Sequence, residues 1–415
     1  MGGAMAGLEA GQGRITVLGM ARATGAALVL GAAVIFAISL VGNGPSRLVG
    51  HIPDDQVVAH LSAGPVTQVV GLAPLLAASR AKPDDLNAAR AAAAALIVAG
   101  RNAGNSRLVG AALGVLRPFL TTDPAPETLR LAAEARQYQH DFIGALSLLD
   151  RAIAADPLAL DAILMRSTIH LVQGDLAKAQ LDCERLRAAR PDIAFMCQST
   201  TLTLTAAAPV VYQRLEGLTA TKGLLDPTLE GWARSLMGEI ALLQGNTEAA
   251  RRNLDAVLAD DPFALRERLM LADLLLKQGA VQQVTDLLQP APPVDGVLIR
   301  RALAARAAGD AASAQLAEDE VAARVKQNLQ LGLNAHARED TMYFLLLAKD
   351  PVQALERARV NWALQHEIDD ARLLIAAADA AGQPAEAMPV LLWMNAQTIA
   401  VPSLTLPTSI RALVK

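Results

Sequence analysis

Aromatic residues are scarce: phenylalanine, tryptophan and tyrosine make up 3% of a 415-residue chain that is 53% hydrophobic. β-Sandwiches draw on aromatic and β-branched side chains, so burial here falls to alanine and leucine, which suit closely packed helices. Cysteine is almost absent, and Cys183 and Cys197 alone are too few to ligate a metal. Basic charge is not in excess either. The net charge is −4, which disfavours a general nucleic-acid or anionic-surface role.

Catalytic signatures are missing as well. There is no nucleotide-binding loop, redox Cys-x-x-Cys, haem-attachment motif or Gly-x-Ser-x-Gly elbow. The six histidines, at 51, 60, 140, 170, 336 and 366, lack ligand spacing. His366-Glu367 begins like a zinc-protease motif, but Asp370 stands where the second histidine is needed. The chain is therefore expected to be no enzyme and to carry no cofactor or metal.

What is present begins with an uncharged stretch from Ala23 to Ser46, strongly apolar over Leu28–Val41. With the apolar residues before Arg22 it is long enough to span a bilayer core of about 30 Å. Residues 15–42 are expected to form a transmembrane anchor behind a disordered tail at 1–14. Arg14 and Arg22 precede the span and only Arg47 closely follows. That bias places the N-terminus in the cytoplasm and the body outside it. A cleaved signal peptide is the competing reading, but Gly42-Asn43-Gly44-Pro45 reads as a linker rather than a cleavage site. Residues 43–82 are expected to be linker and lead-in helices. Asp84-Asp85 opens the next apolar-periodic stretch as a helix cap rather than as an acid/base pair.

Punctuation then becomes regular. Pro124, Pro157, Pro191, Pro227 and Pro262 are spaced by 33, 34, 36 and 35 residues, and four of them follow aspartate. A period near 34 marks an array of helix-turn-helix units. The clearest unit runs from Gly231 to Pro262, with a turn at Gln244-Gly245-Asn246, small residues at Gly238 and Ala250, and apolar residues at helical spacing. The unit ending at Pro191 has Ser167 and Leu186 where small residues belong, so looser packing is expected there. Ala206–Pro209 interrupts the unit ending at Pro227.

The chain thus resembles tetratricopeptide repeats. The resemblance is carried by the proline phase, Gly100 and Ala112, Ala133 and Ala145, Gly174-Asp175 and Ala179, and Ala272 and Gly279. It implies an all-α fold: a TPR-like α-solenoid with one N-terminal transmembrane helix. The array is expected over 83–293, degenerate helical repeats over 294–396, and a C-terminal tail over 397–415. His140-Asp141-Phe142, Asn361–Glu367 and Asp370–Leu374 also resemble segments of bacterial membrane-anchored repeat proteins.

A solenoid leaves a concave surface lined by the first helix of each pair. By the resemblance, Glu127, Arg130, Glu134 and Tyr138 should face it in one unit, and Trp232, Ser235, Glu239 and Leu243 in another. Arg266, Asp273 and Lys277 follow. This mixture of both charges and apolar groups suits a polypeptide partner. If the body is exported, Cys183 and Cys197 are expected to form a disulfide across one turn; otherwise they are two buried small hydrophobes. The leading expectation is a non-catalytic scaffold, tethered to a bacterial inner membrane, with its bulk in the periplasm and protein partners. One alternative is an envelope enzyme or glycan-processing factor using His336, Glu339, Asp340 and His366. Another is an accessory subunit of a larger membrane complex.

Overall fold

The computed structural model describes residues 71–121, 125–221 and 223–414. The expected tail at 1–14, the anchor at 15–42 and the linker as far as residue 70 lie outside the described residues. No described helix is long and apolar enough to cross a membrane. Among the described residues every regular element is helical.

Helix α1 (Leu72–Ala81) leads into seven helix pairs. These are α2 (Leu86–Ala103) with α3 (Ser106–Leu116), α4 (Pro126–Tyr138) with α5 (Phe142–Ala155), and α6 (Leu160–Val172) with α7 (Leu176–Arg185). Next come α8 (Pro191–Leu202) with α9 (Ala208–Ala220), α10 (Pro227–Gln244) with α11 (Thr247–Asp260), and α12 (Leu265–Lys277) with α13 (Val281–Leu288). The last pair is α14 (Asp295–Ala308) with α15 (Ala311–Gln330). The chain finishes with α16 (Ala337–Met342), a π-helical turn at Tyr343–Leu347, α17 (Pro351–Leu364), α18 (Ile368–Ala380), α19 (Met388–Ala396) and α20 (Thr408–Arg411).

Short polar side chains start many of these helices. Asp85, Asp141, Asp175, Asp226, Asn246, Asp310 and Asp350 each accept a backbone N–H two or three residues on, satisfying donors that a helix start leaves unpaired. The prolines act in two ways. Pro157 and Pro262 lie just beyond the ends of α5 and α11. Pro191 and Pro227 instead open α8 and α10, where the missing N–H has no helical partner to lose.

Small residues mark the crossings. A Cβ built on Gly238 of α10 would stand 2.9 Å from Leu254 Cδ2. Leu254, one turn beyond Ala250, therefore occupies the space that the glycine leaves. The unit expected to pack loosely does not. Ser167 donates to the Ala179 carbonyl at 2.9 Å, Leu186 is buried, and the Cys183 and Cys197 sulfurs are bonded between α7 and α8. The serine hydroxyl satisfies itself on the neighbouring backbone, so it packs as closely as alanine. At the interrupted unit, the Thr201, Thr203 and Thr205 hydroxyls bond to carbonyls of α8, and the helix gives way to a bend.

The segment 397–415 is expected as a tail, but its residues 397–413 are packed. Val401 is buried with Leu176, Leu204, Leu243 and Ile368, and Ile410 is buried with Ala371, Leu374 and Val390. Val401 finds cover on the turn ends of earlier pairs, and Ile410 on α18 and α19. The His366 N–H donates to the Val172 carbonyl at 2.7 Å, and Trp393 Nε1–H to the Gly174 carbonyl at 3.0 Å. The α2–α3 turn at Gly104 likewise abuts Val294.

Candidate functional site

Several of the expected groove residues form hydrogen bonds and ion pairs along successive first helices. Arg101 of α2 reaches Glu134 of α4 at 3.0 Å, and Arg130 bonds Glu127 at 2.8 Å and Glu134 at 3.0 Å. Farther along, the Ser235 hydroxyl of α10 donates to Glu267 of α12 at 2.6 Å, and Arg266 bonds Glu239 at 2.8 Å. Asp273 of α12 receives a forked pair of bonds from Arg300 of α14 at 2.7 and 2.6 Å. Bidentate guanidinium–carboxylate geometry fixes orientation as well as charge. The bond to Arg130 holds the Glu127 carboxyl below its usual range, and Glu127 and Glu134 together hold Arg130 firmly charged. Glu239 does the same for Arg266, with Glu367 contributing from the α17–α18 turn.

A shallow, open depression of about 300 Å³ lies between α4 and α6, lined by Arg130, Glu134, Gln137, Asp161, Leu164, Met165 and Thr168. Asp161, Leu164 and Thr168 lie 34 residues after Glu127, Arg130 and Glu134, so the repeat period carried over by one unit identifies them. The groove residues expected from the sequence lie on α4, α10 and α12, and none lies on α6.

Three of the expected groove residues pack against the body of the array. Leu243 is buried at the end of α10, beneath the C-terminal segment, because it falls on the turn end of its helix. Trp232 is half-buried and packs against both the α1–α8 core and the α8–α10 core, so it joins units. Tyr138 is likewise half-buried against the first core, and burial pushes its hydroxyl pKa up. Lys277 is exposed at the last residue of α12.

The residues of the catalytic alternative are engaged with separate partners. Asp340 is fully buried and held by Arg357 at 2.9 Å. His366 packs edge-on against Trp362, with ring centroids 4.3 Å apart. His336 Nδ1 lies 3.7 Å from Asp295, and Glu339 sits in the first turn of α16. Among the described residues no group of His, Cys, Asp and Glu could hold a metal ion.

One histidine outside the expected site carries strain. His140 adopts φ 60 in the α4–α5 turn, where Gly174, Gly245 and Gly309 stand at φ 79, 79 and 75 in other units. Left-handed backbone costs a residue with a Cβ about 1–2 kcal/mol. The ring stacks on Phe142, and burial, aided by Arg338 and His336, pushes its pKa down to about 4. A histidine in an unfolded chain titrates near 6.5, so this ring's contribution is complete above about pH 6.5 and is lost as pH falls toward 4. His140→Gly suits the backbone and removes the titrating group. In urea titrations, the stability lost between pH 7.5 and 4.5 should shrink by on the order of 2 kcal/mol in this variant. An unchanged loss would place the acid sensitivity in other groups.

No family model matches the chain, and no curated protein sequence matches it. Among solved structures it is similar to a tetratricopeptide repeat protein from Parabacteroides merdae, with 14% identity over 62% of this chain and 93% of that chain and a TM-score of 0.36. It is also similar to a chain of the APC/C hetero-tetramer Cut9-Hcn1, with 12% identity over 80% of this chain and 69% of that one and a TM-score of 0.38. A third likeness is to the P58(IPK) TPR domain, with 16% identity over 77% and 93% of the two chains and a TM-score of 0.22. In its helix pairing the chain resembles tetratricopeptide-repeat arrays, and the pairing itself defines the fold.

Proposed function

We propose that this chain is a non-catalytic scaffold that holds a polypeptide partner on the first-helix face of its repeats. The observation that carries this reading is the depression between α4 and α6, where Leu164 and Met165 stand beside Arg130, Glu134 and Asp161. Apolar side chains beside charges of both signs suit one or two side chains of a peptide. Arg130 and Glu134 are already oriented by their ion pairs, so little side-chain freedom is lost on binding. A displayed peptide library panned on the purified protein tests this. Selected peptides should lose at least tenfold in affinity on a Met165→Asp, Arg130→Glu double variant that keeps its helical circular dichroism. Retained affinity places the binding face elsewhere.

The proposal extends to location: residues 15–42 tether the scaffold to a bacterial inner membrane, with the body in the periplasm. The Cys183–Cys197 bond supports this, since disulfides persist in oxidising compartments. A reporter that fluoresces only in the cytoplasm, fused after Lys415, should stay dark. A bright fusion removes export from the proposal and leaves the binding face untouched.

A further inference from the structure

The charges around the depression between α4 and α6 do not cancel. Its one arginine, Arg130, is already engaged. Nε and Nη2 donate to the two Glu127 oxygens at 2.9 and 2.8 Å, and Nη1 donates to Glu134 at 3.0 Å. The other Glu134 oxygen accepts from Arg101 of α2 at 3.0 Å. Two arginines thus balance two glutamates, and each nitrogen of Arg130 bonds a carboxylate. An acidic group of a partner could reach Arg130 fully only by breaking one of these charge-assisted bonds, leaving a glutamate unpaired.

Asp161 is different. It stands exposed in the first turn of α6 and forms no hydrogen bond or ion pair among the described residues. Asp141, Asp175 and Asp226 each commit a side-chain oxygen to a backbone N–H at the start of a helix. At the start of α6 no side chain makes such a bond. Leu164 and Met165, three and four positions on, share its helix face, and both are half-buried against the first core. The remaining lining groups, Gln137 and Thr168, are neutral. What the depression presents is one surplus negative charge beside an apolar strip.

A long basic side chain matches both parts. Lysine and arginine lay their methylene stems on apolar surface and keep the charged head in water. Asp161 and Met165 are about one helical turn apart, roughly 5.4 Å, within reach of the four-carbon stem of lysine. We propose, taking the first-helix face as the binding surface, that this depression receives a lysine or arginine of the partner polypeptide. Its stem lies on Leu164 and Met165, and its head pairs with Asp161. The bound segment is therefore basic, and the chain's net charge of −4 favours its approach.

The test starts from peptides selected on the intact chain out of a displayed random library. A lysine or arginine beside an apolar residue should be enriched over the unselected library. One selected peptide and a copy with that basic residue changed to glutamate are then synthesised. Asp161→Lys should weaken binding of the basic peptide by about fivefold at low salt, and the glutamate copy should bind this variant better than the intact chain. Selection of acidic or uncharged peptides that lose affinity on the Met165→Asp, Arg130→Glu variant keeps the first-helix face and overturns the basic partner. Equal binding of the basic peptide by Asp161→Lys and the intact chain does the same, if the double variant still weakens it. Peptides insensitive to all of these variants overturn the binding face itself, and this inference with it. If Asp161→Lys loses its helical circular dichroism, Asp161→Asn replaces it, and unchanged affinity there overturns the basic partner.

Discussion

Arg357→Ala is expected to destabilise the chain by about 3–5 kcal/mol at pH 7, the range for removing one partner of a buried ion pair. Arg357 on α17 and Asp340 on α16 are both buried, at 6% and 0% exposure. The guanidinium also donates to Asn334 Oδ1 at 3.3 Å and to the Leu333 carbonyl at 3.2 Å. Without it Asp340 keeps only Asn328, at 3.4 Å, in a site where burial already pushes its pKa up. The raised pKa fixes the sign of the pH dependence. A buried carboxyl with a folded pKa above its unfolded one is least costly when protonated, so the variant's deficit should narrow as pH falls from 7 toward 4. Denaturant titrations at the two pH values measure this. An Asp340→Leu, Arg357→Met double variant should recover much of the loss, because a buried pair replaced by apolar groups of similar volume is often neutral or better. A double variant as unstable as the single one would assign the loss to the Asn334 and Leu333 contacts.

Gly174→Val should cost about 3 kcal/mol or more, from two separable causes. The first is backbone strain, about 1–3 kcal/mol for a side chain held at positive φ. The second is overpacking, about 1–3 kcal/mol, since a Cβ at Gly174 would lie 2.5 Å from Trp393 Nε1 and 2.8 Å from His366 Cβ. Gly245→Val isolates the first cause. Gly245 has the same φ of 79, and a Cβ there meets nothing within 4 Å. Denaturant titrations should therefore place Gly174→Val well below Gly245→Val in stability. Equal losses would mean that the contact between the α6–α7 turn and the C-terminal helices contributes nothing.

These two sites also mark how far the sequence could be read. The repeat period, the turn at Gln244-Gly245-Asn246 and the cap at Asp85 are local signals, and each lies where the sequence places it. The docking of the C-terminal segment is not local. Trp393 meets Gly174 across 219 positions, and no periodic pattern encodes a contact of that range. The segment 397–415 reads as a tail because prolines and short polar residues dilute its apolar anchors, Val401, Leu404 and Ile410. The groove was legible in register and illegible in pairing. Shifting by one period finds Asp161 and Leu164, but Arg266 reaches back 27 positions to Glu239 rather than a full repeat. Long side chains lean along their helices, and the ion pairs follow that lean.

The most direct measurement of the scaffold's binding face is hydrogen exchange of the full chain with and without a peptide selected on it. Added protection should concentrate in α4 and α6, around Arg130, Leu164 and Met165. Protection confined to the second helices α5 and α7, with α4 and α6 unchanged, would contradict a partner held on the first-helix face.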